Sequence, residues 1–92
     1  MIRSFKSLKT QALFEGRRVS DYVNMEAVAQ RKLVMLHRAV VLDDLRIPPN
    51  NRLEALKGNL KGFHSIRIND QWRLCFRFDG RDAWDVEIVD YH

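Results

Sequence analysis

The chain has 92 residues, of which 46% are hydrophobic, and its formal net charge is +4 at pH 7. This length fits one domain, residues 1–92, with a modest core, and the composition is that of a folded rather than a disordered protein. The positive charge suits a polyanionic partner, although many small basic proteins bind no nucleic acid.

The residue inventory argues against several kinds of site. Cys75 is the only cysteine, so no internal disulfide forms, which fits a reducing compartment. With no apolar leader and no apolar run long enough to cross a membrane, we expect a cytoplasmic protein. The three histidines lack ligand spacing, and the glycines follow no phosphate-loop or dinucleotide pattern. We therefore expect neither metal nor cofactor, and we expect Cys75 to be a packed side chain rather than a nucleophile.

The N-terminal segment predicts a short strand and a short helix. Residues 2–5 look like a strand. Residues 7–15 favour a helix with Ser7 as its N-cap and with an apolar side made of Leu8, Ala12 and Phe14. Gly16 then ends the pattern.

Residues 24–42 give the strongest helix signal. Apolar residues recur at three- and four-residue steps and form one stripe, Met25, Val28, Ala29, Leu33, Leu36 and Val40. Asn24 can cap this helix, and Asp43 and Asp44 close it. Its other side is polar and basic, with Gln30, Arg31, Lys32 and Arg38. That side is either a solvated surface, as charged helix faces commonly are, or an RNA contact.

Strands are predicted for most of the remaining chain. The double proline at 48–49 indicates an extended loop, after which residues 52–56 resume as a strand. Residues 63–69, 72–78 and 83–89 alternate apolar and polar positions, as in a sheet with one buried side. The predicted apolar side contains Ile66, Ile68, Trp72, Leu74, Phe76, Phe78, Trp84, Val86 and Ile88. The order of elements predicts an α+β fold, with an antiparallel sheet packed against N-terminal helices.

A small set of polar residues could carry chemistry without a metal: Glu54, Lys57, Arg73, Arg77, Asp90, Tyr91 and His92. Metal-free RNA cleavage needs a base for the 2′-hydroxyl proton, an acid for the leaving 5′-oxygen, and cations for the phosphate charge. Glutamate and histidine suit the first two roles, arginine and lysine suit the third, and a tyrosine can stack on a base.

Ordinary structural roles compete with this interpretation. His92 is the last residue of the sequence, and chain ends often fray. Asp90 fits a strand end, Glu54 fits a solvated or ion-paired surface position, and Arg73 and Arg77 fit an exposed sheet face. Residue types and spacing alone therefore describe a basic α+β domain, with or without RNA binding.

A family resemblance covers essentially the whole chain. The similar segments are residues 1–5, 13–14, 52–58, 65–67, 69–76 and 90–92, and the most specific are Gln71-Trp72-Arg73 and the final Asp90-Tyr91-His92. On these residues the chain resembles the HigB toxins of bacterial type II toxin–antitoxin modules, which are also called plasmid-maintenance killer proteins and belong to the RelE-like superfamily.

The resemblance implies a RelE-like fold and a metal-independent, ribosome-dependent endoribonuclease that cleaves mRNA in the ribosomal A site and inhibits translation. It also implies a cognate HigA-type antitoxin with a helix-turn-helix domain, through which the toxin–antitoxin complex would bind operator DNA. The family's active-site residues match Lys57, Arg73, Asp90, Tyr91 and His92.

One position departs from the family pattern, because some HigB enzymes have a histidine where this chain has Glu54. Other members of the superfamily use a glutamate as base with a histidine as acid. Our hypothesis is therefore that Glu54 is the base and His92 the acid, with Asp90 orienting His92 or sharing the base role. Tyr91 would position or stack on the mRNA.

The remaining cations are assigned to binding. Arg73 and Lys57 would hold the phosphate, and Lys57, Arg67 and Arg77 would contact RNA or the ribosome. Two other functions stay open, namely a non-catalytic inhibitor that binds the ribosome or RNA, and a protein-interaction module whose surface mainly serves the antitoxin.

Overall fold

An antiparallel sheet and two α-helices build the fold in the computed structural model, which describes residues 1–90. The predicted roles of Tyr91 and His92 fall outside the described residues. The helices are α1 (Leu8–Phe14) and α2 (Glu26–Arg38), and the strands are β1 (Glu54–Ala55), β2 (Phe63–Arg67), β3 (Trp72–Phe78) and β4 (Ala83–Asp90). The strand order is β1-β2-β3-β4, and each strand pairs antiparallel with its neighbour. The predicted α+β fold is confirmed.

The helix α1 begins where the sequence predicts, but it buries a different face. The Ser7 hydroxyl accepts a hydrogen bond from the Thr10 amide at 3.2 Å, as an N-cap does. Leu13 and Thr10 are buried and Phe14 packs against the core, whereas Leu8 is 85% exposed, so the predicted apolar side is confirmed at Phe14 and wrong at Leu8. Thr10 is buried because its hydroxyl accepts from the Ile88 amide at 3.0 Å on the edge of β4.

Residues 2–5 cover the rest of that edge. They run parallel to β4 through isolated bridges, Ile2 to Ala83 and Phe5 to Val86, rather than as a full strand. Four backbone hydrogen bonds between 2.7 and 3.1 Å join the two segments. This pairing satisfies backbone groups on β4 that a free sheet edge would leave unpaired.

The helix α2 is shorter than predicted at both ends. It begins after Met25 rather than at Asn24, whose side chain makes no cap bond, and it ends at Arg38. The carboxylate of Asp44 accepts from the amides of Val40 and Val41 at 2.8 and 3.2 Å. Asp44 therefore caps the following 3-10 helix, Leu42–Arg46, instead of closing α2.

The core lies between the helices and one face of the sheet. Fully buried side chains come from both layers, Leu13, Leu33, Leu36, Ile66, Leu74, Phe76 and Val86. The predicted faces of β2 and β3 are confirmed, since Ile66, Leu74 and Ile88 are cross-strand neighbours on the core side. The prediction of only one buried side was wrong there, because Ser65, Arg73 and Cys75 are buried on the opposite side. Among residues 1–90, no helix has the length and apolarity that a membrane crossing requires.

A β-bulge in β4 overturns the predicted position of Trp84. Cys75 pairs with Glu87 and Arg77 pairs with Trp84, so two residues of β4 stand opposite Phe76 alone. One of them, Asp85, has a φ of +53°, a left-handed conformation that aspartate tolerates better than most residues. Trp84 therefore shares the face of Arg77, whereas Val86 and Ile88 face the core.

The strand predicted at residues 52–56 is reduced to Glu54–Ala55. Arg52 has a φ of +47° and cannot continue a strand in that conformation. It follows the 3-10 helix Pro49–Asn51, whose buried residue Asn51 accepts from the Lys32 ammonium at 2.6 Å and donates to the Leu45 carbonyl at 3.0 Å. The chain thus turns sharply before it enters the sheet.

The burial of adjacent residues in α2 leads to a stability prediction. Leu33 is fully buried, so Leu33→Ala should lower the free energy of unfolding by about 2–5 kcal/mol through lost apolar contact and a residual cavity. Val34 is 41% exposed on the same helix, and Val34→Ala should change the free energy of unfolding by no more than about 0.5 kcal/mol. Urea unfolding followed by circular dichroism measures both values, and equal losses would contradict the packing described.

Candidate active site

The sheet face opposite the helices, called here the polar face, carries Glu54, Arg67, Arg73 and Arg77 in cross-strand rows. One row is Glu54, Ser65, Cys75 and Glu87, and the next is Arg67, Arg73 and Val89. A third row joins Phe63, Arg77 and Trp84. Residues that pair across antiparallel strands point to the same side, so these rows form one surface.

Arg73 is the most constrained side chain on this face. It lies mid-sheet in β3 and its side chain is only 7% exposed. Its Nε donates to the Ser65 hydroxyl at 2.9 Å, and its Nη2 donates to the carbonyls of Arg52 at 2.8 Å and Ser65 at 3.3 Å. A buried guanidinium needs such partners, because an uncompensated charge away from water is strongly unfavourable.

Glu54 completes the environment of Arg73 from the adjacent strand β1. Its Oε1 lies 3.0 Å from Arg73 Nη2, and its side chain is 49% exposed. The pair is therefore asymmetric, with a fixed cation beneath a carboxylate that solvent can reach. A carboxylate held in this way can accept a proton from a bound hydroxyl, and the neighbouring cation can balance negative charge.

Local backbone geometry explains how these groups meet. The left-handed conformation of Arg52 turns its carbonyl to where Arg73 can donate to it. Two residues later, β1 pairs Glu54 with Ser65, and β2 pairs Ser65 with Cys75 next to Arg73. Ser65 is thus placed between the two charged residues and is fully buried.

Arg67 and Arg77 lie elsewhere on the polar face, and Lys57 lies outside the sheet, after β1. Lys57 is exposed and precedes the 3-10 helix Gly58–Leu60. Arg67, opposite Arg73 in the β2–β3 register, forms an ion pair with Asp70 in the connecting turn. Arg77 forms an ion pair with Asp85 at 2.8 Å, at the bulge.

Asp90 ends β4 and is exposed. Its register partner is Trp72, and its carboxylate accepts from the Gln71 amide group at 3.1 Å. Side chains alternate along β4, so Asp90 lies on the same side of the sheet as Ile88, whereas Arg73 lies on the same side as Val89. Among the predicted site residues up to position 90, Glu54 thus contacts Arg73, and Asp90 contacts Gln71.

Cys75 behaves as the sequence predicted. It is buried, and this burial raises the pKa of its thiol to about 11. The neutral thiol is a poor nucleophile, although it lies one strand from Ser65 in the same row. A thiolate mechanism is therefore disfavoured.

The two described histidines are separate from the Glu54–Arg73 pair. Burial, reinforced by Arg46, lowers the pKa of His64, whose ring stacks on Phe76 with 6.3 Å between the centroids. His37 Nδ1 accepts from the Ile2 amide at 3.1 Å. No group of three His, Cys, Asp or Glu residues within the described part of the chain is arranged to hold a metal ion.

Sequence reasoning missed two contributors to the site, Ser65 and the carbonyl of Arg52. Strand alternation did place Ser65 on the face of Arg67, but only the register brings it beside Arg73. No pattern in the sequence signals the Arg52 carbonyl, because its position depends on a left-handed backbone conformation at a non-glycine residue.

Comparison with known proteins identifies the family. The model of the HigB-like toxin family, described as the RelE-like toxin of the type II toxin–antitoxin system HigB, matches residues 4–92. The chain belongs to this family. The predicted resemblance is thereby confirmed, as is the prediction of a toxin of a type II module.

Two relatives and one solved structure illustrate the range of similarity. Toxin HigB-1 of Vibrio cholerae serotype O1 is 53% identical over 55 residues, which are 60% of this chain and 58% of that toxin's length. Endoribonuclease HigB of Proteus vulgaris is 32% identical over 94 residues and the full length of both chains. The YoeB-YefM complex from Staphylococcus aureus matches with a TM-score of 0.56 and 21% identity, over 100% of this chain and 98% of the matched chain, which supports the RelE-like fold.

The raised pKa of Cys75 leads to a prediction for its reactivity. At pH 8 only about 0.1% of the thiol is ionised if the pKa is about 11, so the native protein should resist alkylation. Unfolding in urea should expose the thiol and make it react. The thiol of the unfolded protein ionises at a lower pH than the buried thiol. The contribution of Cys75 to the free energy of unfolding should therefore fall as the pH rises from about 9 to 11.

The matched variant is Cys75→Ala, which should abolish labelling in urea and leave RNA cleavage within about twofold of wild type. Mass spectrometry measures the labelling. Rapid labelling of the native protein, or loss of cleavage in Cys75→Ala with folding intact, would contradict the packed, neutral thiol.

Proposed function

We propose that this toxin is a metal-independent endoribonuclease that cleaves mRNA in the A site of the ribosome. The observation that carries the proposal is the asymmetric pair of Glu54 and Arg73, a reachable carboxylate over a buried cation. Family membership and the full-length relative named Endoribonuclease HigB support the reaction class.

In the first half of the reaction, Glu54 takes the proton of a ribose 2′-hydroxyl. The 2′-oxygen then attacks the adjacent phosphorus, and negative charge builds on the non-bridging phosphate oxygens. Arg73 stabilises that charge, since its position is already fixed by Ser65 and the Arg52 carbonyl. A phosphate that approaches Arg73 competes with the Glu54 carboxylate, which frees that carboxylate to act as a base.

In the second half, the bond from phosphorus to the 5′-oxygen breaks. His92 donates a proton to that oxygen, so the products are a 2′,3′-cyclic phosphate and a free 5′-hydroxyl. Asp90 orients His92 or shares the role of the base, and Tyr91 stacks on or positions the mRNA. Lys57, Arg67 and Arg77 add phosphate contacts around the polar face.

The partner is an antitoxin, as expected for a toxin of a type II module, and a related fold occurs in the YoeB-YefM complex from Staphylococcus aureus. We further propose that this antitoxin is of the HigA type, with a helix-turn-helix domain through which the complex binds operator DNA. Action on translating ribosomes would place the toxin in the cytoplasm.

A different function, inhibition by occupancy of the ribosome, is favoured by one observation. Arg73 is only 7% exposed, so the ion pair with Glu54 is also what a purely structural bridge would look like. In that case the cations of the polar face would dock on ribosomal RNA while the mRNA stays intact. Cleavage requires Glu54 and His92 individually, whereas inhibition by occupancy tolerates the loss of either one.

The test is in vitro translation with purified toxin, followed by primer extension on the mRNA, with and without ribosomes. We expect cuts within A-site codons that need ribosomes. Glu54→Gln and His92→Gln should each lower the cleavage rate by about 10²–10⁴-fold, as loss of a general base or acid does. Arg73→Lys should lower it by about 10²–10³-fold, because it removes fixed donors.

The matched control is Glu87→Gln, the same substitution in the same cross-strand row, three strand spacings or about 14 Å from Glu54. It should cleave like wild type. Translation arrest with intact mRNA would reject cleavage in favour of occupancy, and full activity of Glu54→Gln or His92→Gln would reject the assigned role.

Ribosome binding should weaken steeply with salt, because phosphate contacts release counterions. Lys57→Gln should lower the slope of log affinity against log salt by about one unit if Lys57 contacts one phosphate. Lys9→Gln is the control, since Lys9 is exposed on α1 and pairs with Asp21 at 2.7 Å. Sedimentation with ribosomes over a salt series measures the slopes, and a salt-independent affinity would contradict docking by phosphate contacts.

A further inference from the structure

Two aromatic side chains, Phe63 and Trp84, are partly buried on the polar face rather than in the core. The other aromatic residues within positions 1–90 belong to the core or pack against it, and they are Phe5, Phe14, Tyr22, Trp72, Phe76 and Phe78. Phe63 and Trp84 pair with Arg77 from opposite sides, so the three side chains form one cross-strand row. We call this row the aromatic platform.

An uncommon backbone conformation turns Trp84 onto this face. Two residues of β4 stand opposite Phe76, and one of them, Asp85, has a φ of +53°. Without this bulge, Trp84 would follow the alternation of Val86 and would face the core. Bulges commonly re-aim a side chain next to a functional site, and a strained backbone at a non-glycine residue points the same way. The large apolar ring of Trp84 is therefore available to a ligand.

Hydrogen bonds hold Trp84 and Arg77 of the aromatic platform in place. The Trp84 indole Nε1 donates to the Asp79 carboxylate at 2.8 Å, and the Arg77 Nε donates to the Asp85 carboxylate at 2.8 Å. The Asp85 amide in turn donates to the Ser4 hydroxyl at 2.8 Å. Each contact engages the edge of its group, whereas stacking uses the face, so the two do not compete. A ring with a fixed orientation loses little freedom when a base stacks on it.

Lys6 adds a positive charge beside the aromatic platform. Its Nζ lies 5.8 Å from the centroid of the Phe63 ring, and the residue is exposed. Among residues 1–90, no carboxylate lies within ion-pair distance of this ammonium. A phosphate can therefore bind Lys6 without displacing an internal partner. Aromatic faces next to such cations are the combination that binds single-stranded nucleic acid.

The position of the aromatic platform favours one occupant, the RNA strand that is cleaved. Arg77 follows Arg73 by four residues on β3, which places the platform about 13 Å from Arg73 on the same face. A nucleotide whose phosphate lies at Arg73 keeps its own ribose at Glu54, so the platform suits the base of a neighbouring nucleotide. Duplex RNA is disfavoured, because its base faces are covered. An acidic protein segment is disfavoured by the carboxylates of Asp79 and Asp85.

We propose that the aromatic platform is a subsite that stacks an unpaired base of the mRNA, next to the nucleotide whose phosphate binds Arg73. Lys6 and Arg77 bind the phosphate of the stacked nucleotide. The inference rests on the proposed function for the identity of this RNA as the cleaved mRNA. Every base has an aromatic face, so the subsite tolerates different sequences. Its effect is to fix which phosphate of the strand reaches Arg73.

The first test measures stacking on the full-length toxin without ribosomes. The probe is a short oligoadenylate with 2′-O-methyl riboses, which lacks the attacking hydroxyl and is not cleaved. The chain has two tryptophans, so Trp72→Phe leaves Trp84 as the only one. The probe should quench the fluorescence of Trp84, and an abasic ribose-phosphate chain of the same length should not. Unchanged emission with millimolar probe, or equal quenching by the two chains, would overturn the proposal.

The second test measures affinity for a dye-labelled form of the same probe. Trp84→Ala should weaken binding by about 5–150-fold, the loss expected for one stacked base. Trp84→Phe should recover most of the affinity, because it restores an aromatic face. The control Leu8→Ala removes an 85% exposed apolar side chain from α1 and should bind within about twofold of wild type. Equal thermal unfolding verifies folding, and unchanged affinity of Trp84→Ala would contradict stacking.

The third test places the subsite on the mRNA during ribosome-dependent cleavage. Two mRNAs each lack the base of one nucleotide that flanks the cleaved nucleotide. The wild-type toxin should cut one of them about 5–150-fold more slowly than the intact mRNA. Trp84→Ala should be equally slow on the intact mRNA and should lose no more on the abasic one, because the contact is already absent. Losses that add in full would show that Trp84 does not hold that base.

The remaining outcomes assign the aromatic platform to another occupant and equally overturn the proposal. One is weaker ribosome binding of Trp84→Ala with no dependence on either flanking mRNA base, which would indicate a base of ribosomal RNA. The other is a loss of affinity for the antitoxin alone. Cleavage is scored separately from binding. Absence of cleavage by the wild-type toxin would reject the proposed reaction, while the two oligonucleotide tests would still decide whether the platform stacks single-stranded RNA.

Discussion

A buried guanidinium in the middle of a four-stranded sheet is the constraint on which the rest of the site depends. Arg73 is buried in the polar face, and its charge must be balanced largely without water. Ser65 supplies a hydroxyl and a carbonyl, Arg52 a second carbonyl, and Glu54 the opposite charge. The loop before β1, the register of β1 on β2, and the position of β2 on β3 are all tied to this one side chain.

The same arrangement links stability to chemistry. A cation that already has partners costs little reorganisation when a phosphate arrives, which is the property an anionic transition state needs. Its resting partner is an exposed carboxylate, so the resting state is electrically balanced and still open to exchange. Burial keeps the Cys75 thiol neutral, so this thiol does not compete as a nucleophile in the row that contains Glu54. Arg73 is therefore the buried member of the pair, and Glu54 is the member that solvent can reach.

The sequence predicted what depends on local periodicity and missed what depends on register and rare backbone conformations. Alternation in β3 placed Arg73, Cys75 and Arg77 on one face, as found, since nothing interrupts that strand. It failed in β4, because the bulge at Asp85 moves Trp84 to the other face without a glycine to signal it. The end of α2 was overestimated because Asp44 captures the amides of Val40 and Val41 for the next turn, a competition between caps that apolar spacing does not reveal.

On the polar face, charges are mostly paired within the chain, as in Arg73 with Glu54 and Arg77 with Asp85. An anionic ligand there has to exchange with a carboxylate that is already present. Binding by exchange suits a substrate that must leave again, since the internal carboxylate competes for the cation.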